Sequence, residues 1–195
     1  FMHNTLGPLF LDKRGNLWVG TKGMGLNLLV NTPEPFRTFT PHSDDGMSLG
    51  FSSLRGIYEE SQDIIWIGGY NGMQRIDLGK QKVEWVLGVT FIPYAILPDR
   101  FNPDFLWIGT EGQGLIRLNK RTLKREMFPF FESFALESGE APGWPRVFSL
   151  EQDGEGWLYI GTNLGLTVYN PNEGHYFFYR NDPDNPRSIP QGRVI

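Results

Sequence analysis

One short phrase recurs four times along the 195 residues of this chain. It reads Leu17-Trp18-Val19-Gly20-Thr21, Ile65-Trp66-Ile67-Gly68-Gly69, Leu106-Trp107-Ile108-Gly109-Thr110 and Leu158-Tyr159-Ile160-Gly161-Thr162. The glycines stand 48, 41 and 52 residues apart. A period of that size marks an array of like units, none of which buries its apolar face alone. An acidic residue precedes each copy (Asp12, Glu60, Asp99, Asp153), and a turn glycine with an apolar neighbour follows it: Gly25-Leu26, Gly72-Met73, Gly114-Leu115, Gly165-Leu166.

Within the first copy, Leu6 to Asp12 is a short apolar stretch, and Gly15 supplies a turn because it tolerates positive φ. Leu17 to Thr21 is aromatic and β-branched, Leu26 to Val30 is apolar after a second turn, and Phe36 to Thr40 alternates. Each reads as a strand. Four antiparallel strands in about 40 to 45 residues is the size of a propeller blade. The spacing predicts three more sets: Leu54–Glu60, Ile64–Gly68, Met73–Asp77 and Val83–Leu87; Tyr94–Leu97, Phe105–Thr110, Leu115–Asn119 and Lys124–Phe128; Arg146–Glu151, Trp157–Thr162, Leu166–Asn170 and Tyr176–Tyr179. The expected fold is therefore all-β, a partial β-propeller over 1–195, with blades at about 1–50, 51–90, 91–140 and 141–186. Residues 187–195 read as the first strand of a further blade, so the chain is expected to be a segment of a larger, about seven-bladed propeller.

Composition narrows the function classes. Lys plus Arg total 18 against 22 Asp plus Glu, a net charge of -4 without a basic stripe, so no nucleic-acid partner is expected. No cysteine is present, which removes disulfides and thiolate metal sites. No apolar run reaches the roughly 18 residues of a membrane helix, and Phe1-Met2-His3-Asn4 does not open a signal peptide. No membrane contact is expected within this segment.

The run from Asp12 to Asn27, with Gly-Asn-Leu-Trp-Val-Gly-Thr and Gly-x-Gly-Leu-Asn, resembles the two-component regulator propeller repeat. The segments Phe36–Leu49 and Phe177–Pro190, each an aromatic strand, an acidic loop and Ser-Leu or Ser-Ile, are similar to that family's inter-blade pattern. The third copy departs most, because Phe101-Asn102-Pro103-Asp104 lengthens its first turn. The resemblance implies the periplasmic sensor of a hybrid two-component histidine kinase, with a second propeller, a receptor homodimer and a kinase elsewhere in the parent. It also implies an oligosaccharide as ligand.

Other constellations point to structure. The Gly20 to Gly25 and Gly109 to Gly114 turns lack the order and the helix of a phosphate loop. Asp12 and Asp153 with their following glycines are similar to the Asp-box of sialidase propellers, where the acid caps a turn. The repeated set Asp12, Trp18, Gly20, Trp66, Gly68, Trp107, Gly109, Asp153 and Gly161 is read as scaffold. His3, His42 and His175 are solitary, so neither metal nor cofactor is expected. The acids do not form the facing pair of a glycosidase, and no Gly-x-Ser-x-Gly elbow occurs, so no enzymatic activity is expected. The alternatives are a lyase or sialidase-like propeller enzyme and a protein-binding scaffold. Binding residues are sought where the copies differ: at the second turn (Lys22 and Met24, Tyr70 and Asn71, Glu111 and Gln113, Asn163 and Leu164) and at the start of the first strands. The candidates are Arg55, Tyr70, Tyr94, Trp144, Arg146 and Arg193, whose aromatic planes and forked guanidinium donors suit sugar rings or acidic sugars.

Overall fold

The computed structural model describes residues 5–23, 25–30, 36–41, 46–128 and 146–195. They form sixteen strands in four sheets, each a four-stranded antiparallel meander in chain order. The first sheet comprises β1 (Leu6–Leu11), β2 (Leu17–Thr21), β3 (Leu26–Leu29) and β4 (Phe36–Phe39). The second comprises β5 (Leu54–Ser61), β6 (Ile64–Gly69), β7 (Gly72–Asp77) and β8 (Lys82–Leu87). The third comprises β9 (Pro93–Pro98), β10 (Phe105–Thr110), β11 (Leu115–Asn119) and β12 (Arg125–Met127). The fourth comprises β13 (Val147–Gln152), β14 (Leu158–Thr162), β15 (Gly165–Asn170) and β16 (His175–Tyr179). The sixteen strands expected in the four sets are all present, with ends moved by at most one residue. The chain divides into two compact units, Phe1–Pro93 and Tyr94–Ile195.

Each unit has its own core. In the first, Trp18, Leu26 and Phe39 pack with Leu54, Ile65, Ile67 and Ile76, and Met47, Leu49 and Phe51 from the connecting segment join them. In the second, Trp107 and Leu115 pack with Val147, Leu158, Ile160 and Tyr169. Trp18, Trp66 and Trp107 are 1%, 0% and 0% exposed, as a ring filling the space between sheets must be.

The recurring phrase has three physical jobs. Its glycine gives close approach. A Cβ on Gly20 would come within 3.2 Å of Leu54 Cβ, on Gly68 within 2.7 Å of Pro93 Cβ, on Gly109 within 3.0 Å of Val147 Cβ, and on Gly161 within 2.8 Å of Val194 O. In all four copies the glycine is therefore the seat on which the following first-strand segment rests. Its threonine closes the next turn: the hydroxyls of Thr21, Thr110 and Thr162 donate to Gly25 O, Gly114 O and Gly165 O at 2.9, 2.8 and 2.9 Å. Gly25 and Gly165 have φ of +83° and +132°, and a Cβ there would collide with the carbonyls of Phe39 and Tyr179.

The third job is the acid–aromatic bond. Trp18 Nε1 donates to Asp12 Oδ2 (3.1 Å), Trp66 Nε1 to Glu60 Oε2 (2.8 Å) and the Tyr159 hydroxyl to Asp153 Oδ2 (3.2 Å). The other oxygen of Asp12 accepts the Arg14 and Asn16 backbone N–H groups, and that of Asp153 accepts those of Glu155 and Trp157. Burial works against both carboxylates, but these hydrogen bonds outweigh it and hold both pKa values below the usual aspartate range. Both acids cap a turn, as expected. Asp99 caps its own turn through Phe101 N, yet its second oxygen binds Arg117 instead of Trp107.

Residues 187–195 contain no strand. Ser188 N–H donates to Asn185 O (2.9 Å), and Val194 N–H donates across to Thr162 O (2.9 Å). Val194 nevertheless occupies the Gly161 seat, where Leu54, Pro93 and Val147 sit in the other copies.

Candidate functional site

The seats determine where the divergent side chains lie. Leu54, Pro93 and Val147 are held by the preceding glycine, so the residues beside them are carried to the same end of each sheet. Register shifts between Leu54 and Gly56 and between Val147 and Ser149 leave Arg55 and Phe148 without ladder partners. A bulge of this kind re-aims a side chain. The turn between second and third strands is tied to the same place: Tyr70 N–H donates to Ser53 O (3.3 Å) and Asn163 N–H to Arg146 O (3.2 Å). Turn and first-strand start thus meet in the second and fourth sheets.

In the first unit the meeting is between Arg55 and Tyr70. The guanidinium carbon lies 4.4 Å from the Tyr70 ring centre, and Arg55 Nη2 hydrogen-bonds the Tyr70 hydroxyl. Tyr70 is 43% exposed. The equivalent pair in the second unit is Tyr94 and Glu111, with the phenol donating to Glu111 Oε2 at 2.7 Å. There the pair grows into a cluster. Arg146 Nε forms an ion pair with Glu111 Oε1 (3.0 Å), and Arg146 N–H donates to Asn163 Oδ1 (2.7 Å). Tyr94 meets Phe148 edge-on at 5.3 Å between ring centres, and the Arg193 guanidinium lies 5.7 Å over Phe148.

Three of the six sequence-predicted candidates, Tyr94, Arg146 and Arg193, therefore come together in one cluster. Arg55 and Tyr70 form a separate pair in the other unit, and Trp144 lies outside the described residues. Glu111 and Asn163 stood out in the sequence only as divergent turn residues, although each contacts Arg146. Phe148 was missed. Its signal is register: it follows the seated Val147 as Arg55 follows Leu54 and Tyr94 follows Pro93.

Chemically the cluster offers two guanidinium groups, two aromatic rings and one carboxylate. Among the described residues no group of three or more His, Cys, Asp or Glu side chains is placed to hold a metal ion. No helix among the described residues is long and apolar enough to cross a membrane. Among the described residues, Glu111 is in contact with Tyr94 and Arg146 and with no second carboxylate.

No protein-family model matches the chain, and no curated protein matches it. Solved structures do. The chain is similar to the extracellular domain BT4673 from B. thetaiotaomicron, assigned to a hybrid two-component system, with 24% identity and a TM-score of 0.73 over 97% of this chain. It spans 24% of that domain's length. It is also similar to the β-propeller domain of Myceliophteria thermophila Cps50 (Swd1), at 10% identity and a TM-score of 0.69, covering 99% of this chain and 58% of that one. An ancestral GH74 enzyme shares the fold at 10% identity and a TM-score of 0.68, over 92% of this chain and 24% of the enzyme. The four meander sheets and these likenesses together give the fold: the chain is built of four β-propeller blades.

Proposed function

We propose that the chain is a ligand-recognition segment of an extracytoplasmic, periplasmic two-component sensor, binding a small ligand of the oligosaccharide class and performing no chemistry on it. The observation that carries this reading is the Tyr94–Glu111–Arg146–Phe148–Arg193 cluster, formed by residues that vary on a scaffold that repeats. The similarity to the BT4673 sensor domain supports the same class. In this reading the site completes itself with further blades, for which Val194 on the Gly161 seat is the first support. A second propeller and a receptor homodimer then pass the bound state to a histidine kinase by population shift.

Calorimetry of the full extracytoplasmic protein against neutral and acidic oligosaccharides tests this. Arg146→Ala should weaken binding with the melting temperature almost unchanged. Loss of both together would mark Arg146 as scaffold, and unchanged affinity would move the site elsewhere. A propeller enzyme is the second reading, favoured by the GH74 likeness. Product formation from any bound oligosaccharide would establish it in place of the sensor.

A further inference from the structure

The donors and acceptors of the second-unit cluster are unequally engaged. Glu111 spends one oxygen on the Tyr94 hydroxyl and the other on Arg146 Nε. Asn163 Oδ1 is occupied by the Arg146 backbone N–H. The side-chain acceptors that line Arg146 are therefore already engaged. The donors are not. Arg146 uses Nε, and among the described residues neither of its Nη groups has a hydrogen-bond partner, while its side chain is 57% exposed. Arg193 holds its guanidinium carbon 5.7 Å from the centre of the Phe148 ring and, among the described residues, its side-chain N–H groups have no hydrogen-bond acceptor.

Two positive charges stand against one negative charge, and the two terminal forks remain unfilled. A neutral sugar hydroxyl both donates and accepts, and is matched best by a mixed set of donors and acceptors. A planar oxyanion only accepts, and a guanidinium fork matches it with two parallel bonds. We infer that this cluster recognises an anionic group on the ligand, a carboxylate such as that of a uronic acid, through Arg146 and Arg193. Glu111 is a positioning residue: by holding Nε it turns the Nη edge of Arg146 outward. Phe148 gives Arg193 a surface to lie on and Tyr94 an edge contact. This inference rests on the oligosaccharide reading above and specifies the class of sugar.

The test uses the full protein and three probes: an oligogalacturonate, its fully methyl-esterified counterpart, and sodium sulfate. Esterification removes the charge and keeps the sugar. The acid should bind at least about tenfold more tightly than the ester, the weight of a charge-assisted hydrogen-bond pair. Arg193→Ala should abolish that difference, and Arg193→Lys, which keeps charge without the fork, should restore part of it. Glu111→Gln should narrow the preference for acid over ester while the far-ultraviolet spectrum stays native, a readout that a purely structural role would not move. Equal binding of acid and ester overturns the anionic inference and leaves the oligosaccharide reading standing. Arg193-dependent binding of sulfate without binding of either sugar keeps the anion site and overturns the oligosaccharide reading. Folded protein that binds none of the three overturns both.

Discussion

The second and third sheets start from the same cross-strand pair and wire it differently. Trp66 stands opposite Arg75, and Trp107 opposite Arg117. Both indoles are fully buried, and the guanidinium groups lie 5.9 and 5.1 Å from the ring centres. In the second sheet, Glu60 stands six residues before the tryptophan and accepts its N–H, which leaves Arg75 to Glu84 on the outer strand at 3.1 Å. In the third, Phe101-Asn102-Pro103-Asp104 lengthens the turn and Asp99 stands eight residues before the tryptophan. Asp99 takes Arg117 Nη2 at 2.6 Å, and among the described residues Trp107 Nε1 has no partner. The ring packing is common to both sheets, whereas the polar bonds around it depend on the length of one turn.

The comparison can be broken first at what the two sheets share. Trp66→Ala and Trp107→Ala should each cost about 3 to 5 kcal/mol, because both open a cavity of the same kind. Urea melts showing under about 1 kcal/mol for either would remove that tryptophan from the core.

The polar difference comes next. Arg117→Met strands the buried Asp99 carboxylate beside its turn N–H groups and should cost about 2 kcal/mol, somewhat below a fully buried pair because Arg117 is partly solvated. Arg75→Met loses its bond to the more exposed Glu84 and a longer ion pair of 3.9 Å to Asp77, which keeps Lys80 as a partner, and should cost about 0.5 to 1 kcal/mol. Equal losses would mean that the two arginines do the same work.

Sharper still is the indole N–H itself. Trp66→Phe removes the N–H that Glu60 accepts, whereas Trp107→Phe removes an N–H that has no partner among the described residues. The first should be the more destabilising by about 1 kcal/mol. The opposite order would place an acceptor on Trp107.

The smallest effect concerns pH in the first sheet, where Asp12 keeps the acid–indole bond. Its folded pKa lies below the unfolded value, so its contribution is whole above about pH 4. It is lost as the pH falls further, through the folded value. Asp12→Asn should flatten the acid limb of the stability curve by on the order of 0.5 kcal/mol after solvent screening. An unchanged limb would assign that pH dependence to other carboxylates.

Sixteen strands were legible because strand alternation and turn glycines are local properties, repeated four times with the same spacing. Buried tryptophans and turn-capping aspartates were legible for the same reason. The binding cluster was readable only in outline: Tyr94, Arg146 and Arg193 stood out as divergent residues near first-strand starts, while Phe148 looked like ordinary strand filling. Its place beside Tyr94 and Arg193 follows from a bulge, and a bulge is a fact of register between two strands.

The amino-acid sequence alone determined the repeat and the meander within each sheet, and it set a glycine at the same point of all four copies, because strand alternation and turn residues are local. Only the tertiary structure decided what passes there, Leu54, Pro93, Val147 and Val194, and that Asp99 abandons Trp107 for Arg117. Likewise, only the folded chain brought Glu111, Tyr94, Arg146 and Arg193 together across almost a hundred residues. Those choices depend on distances between side chains far apart in the chain, which the backbone sets after the local rules have been satisfied.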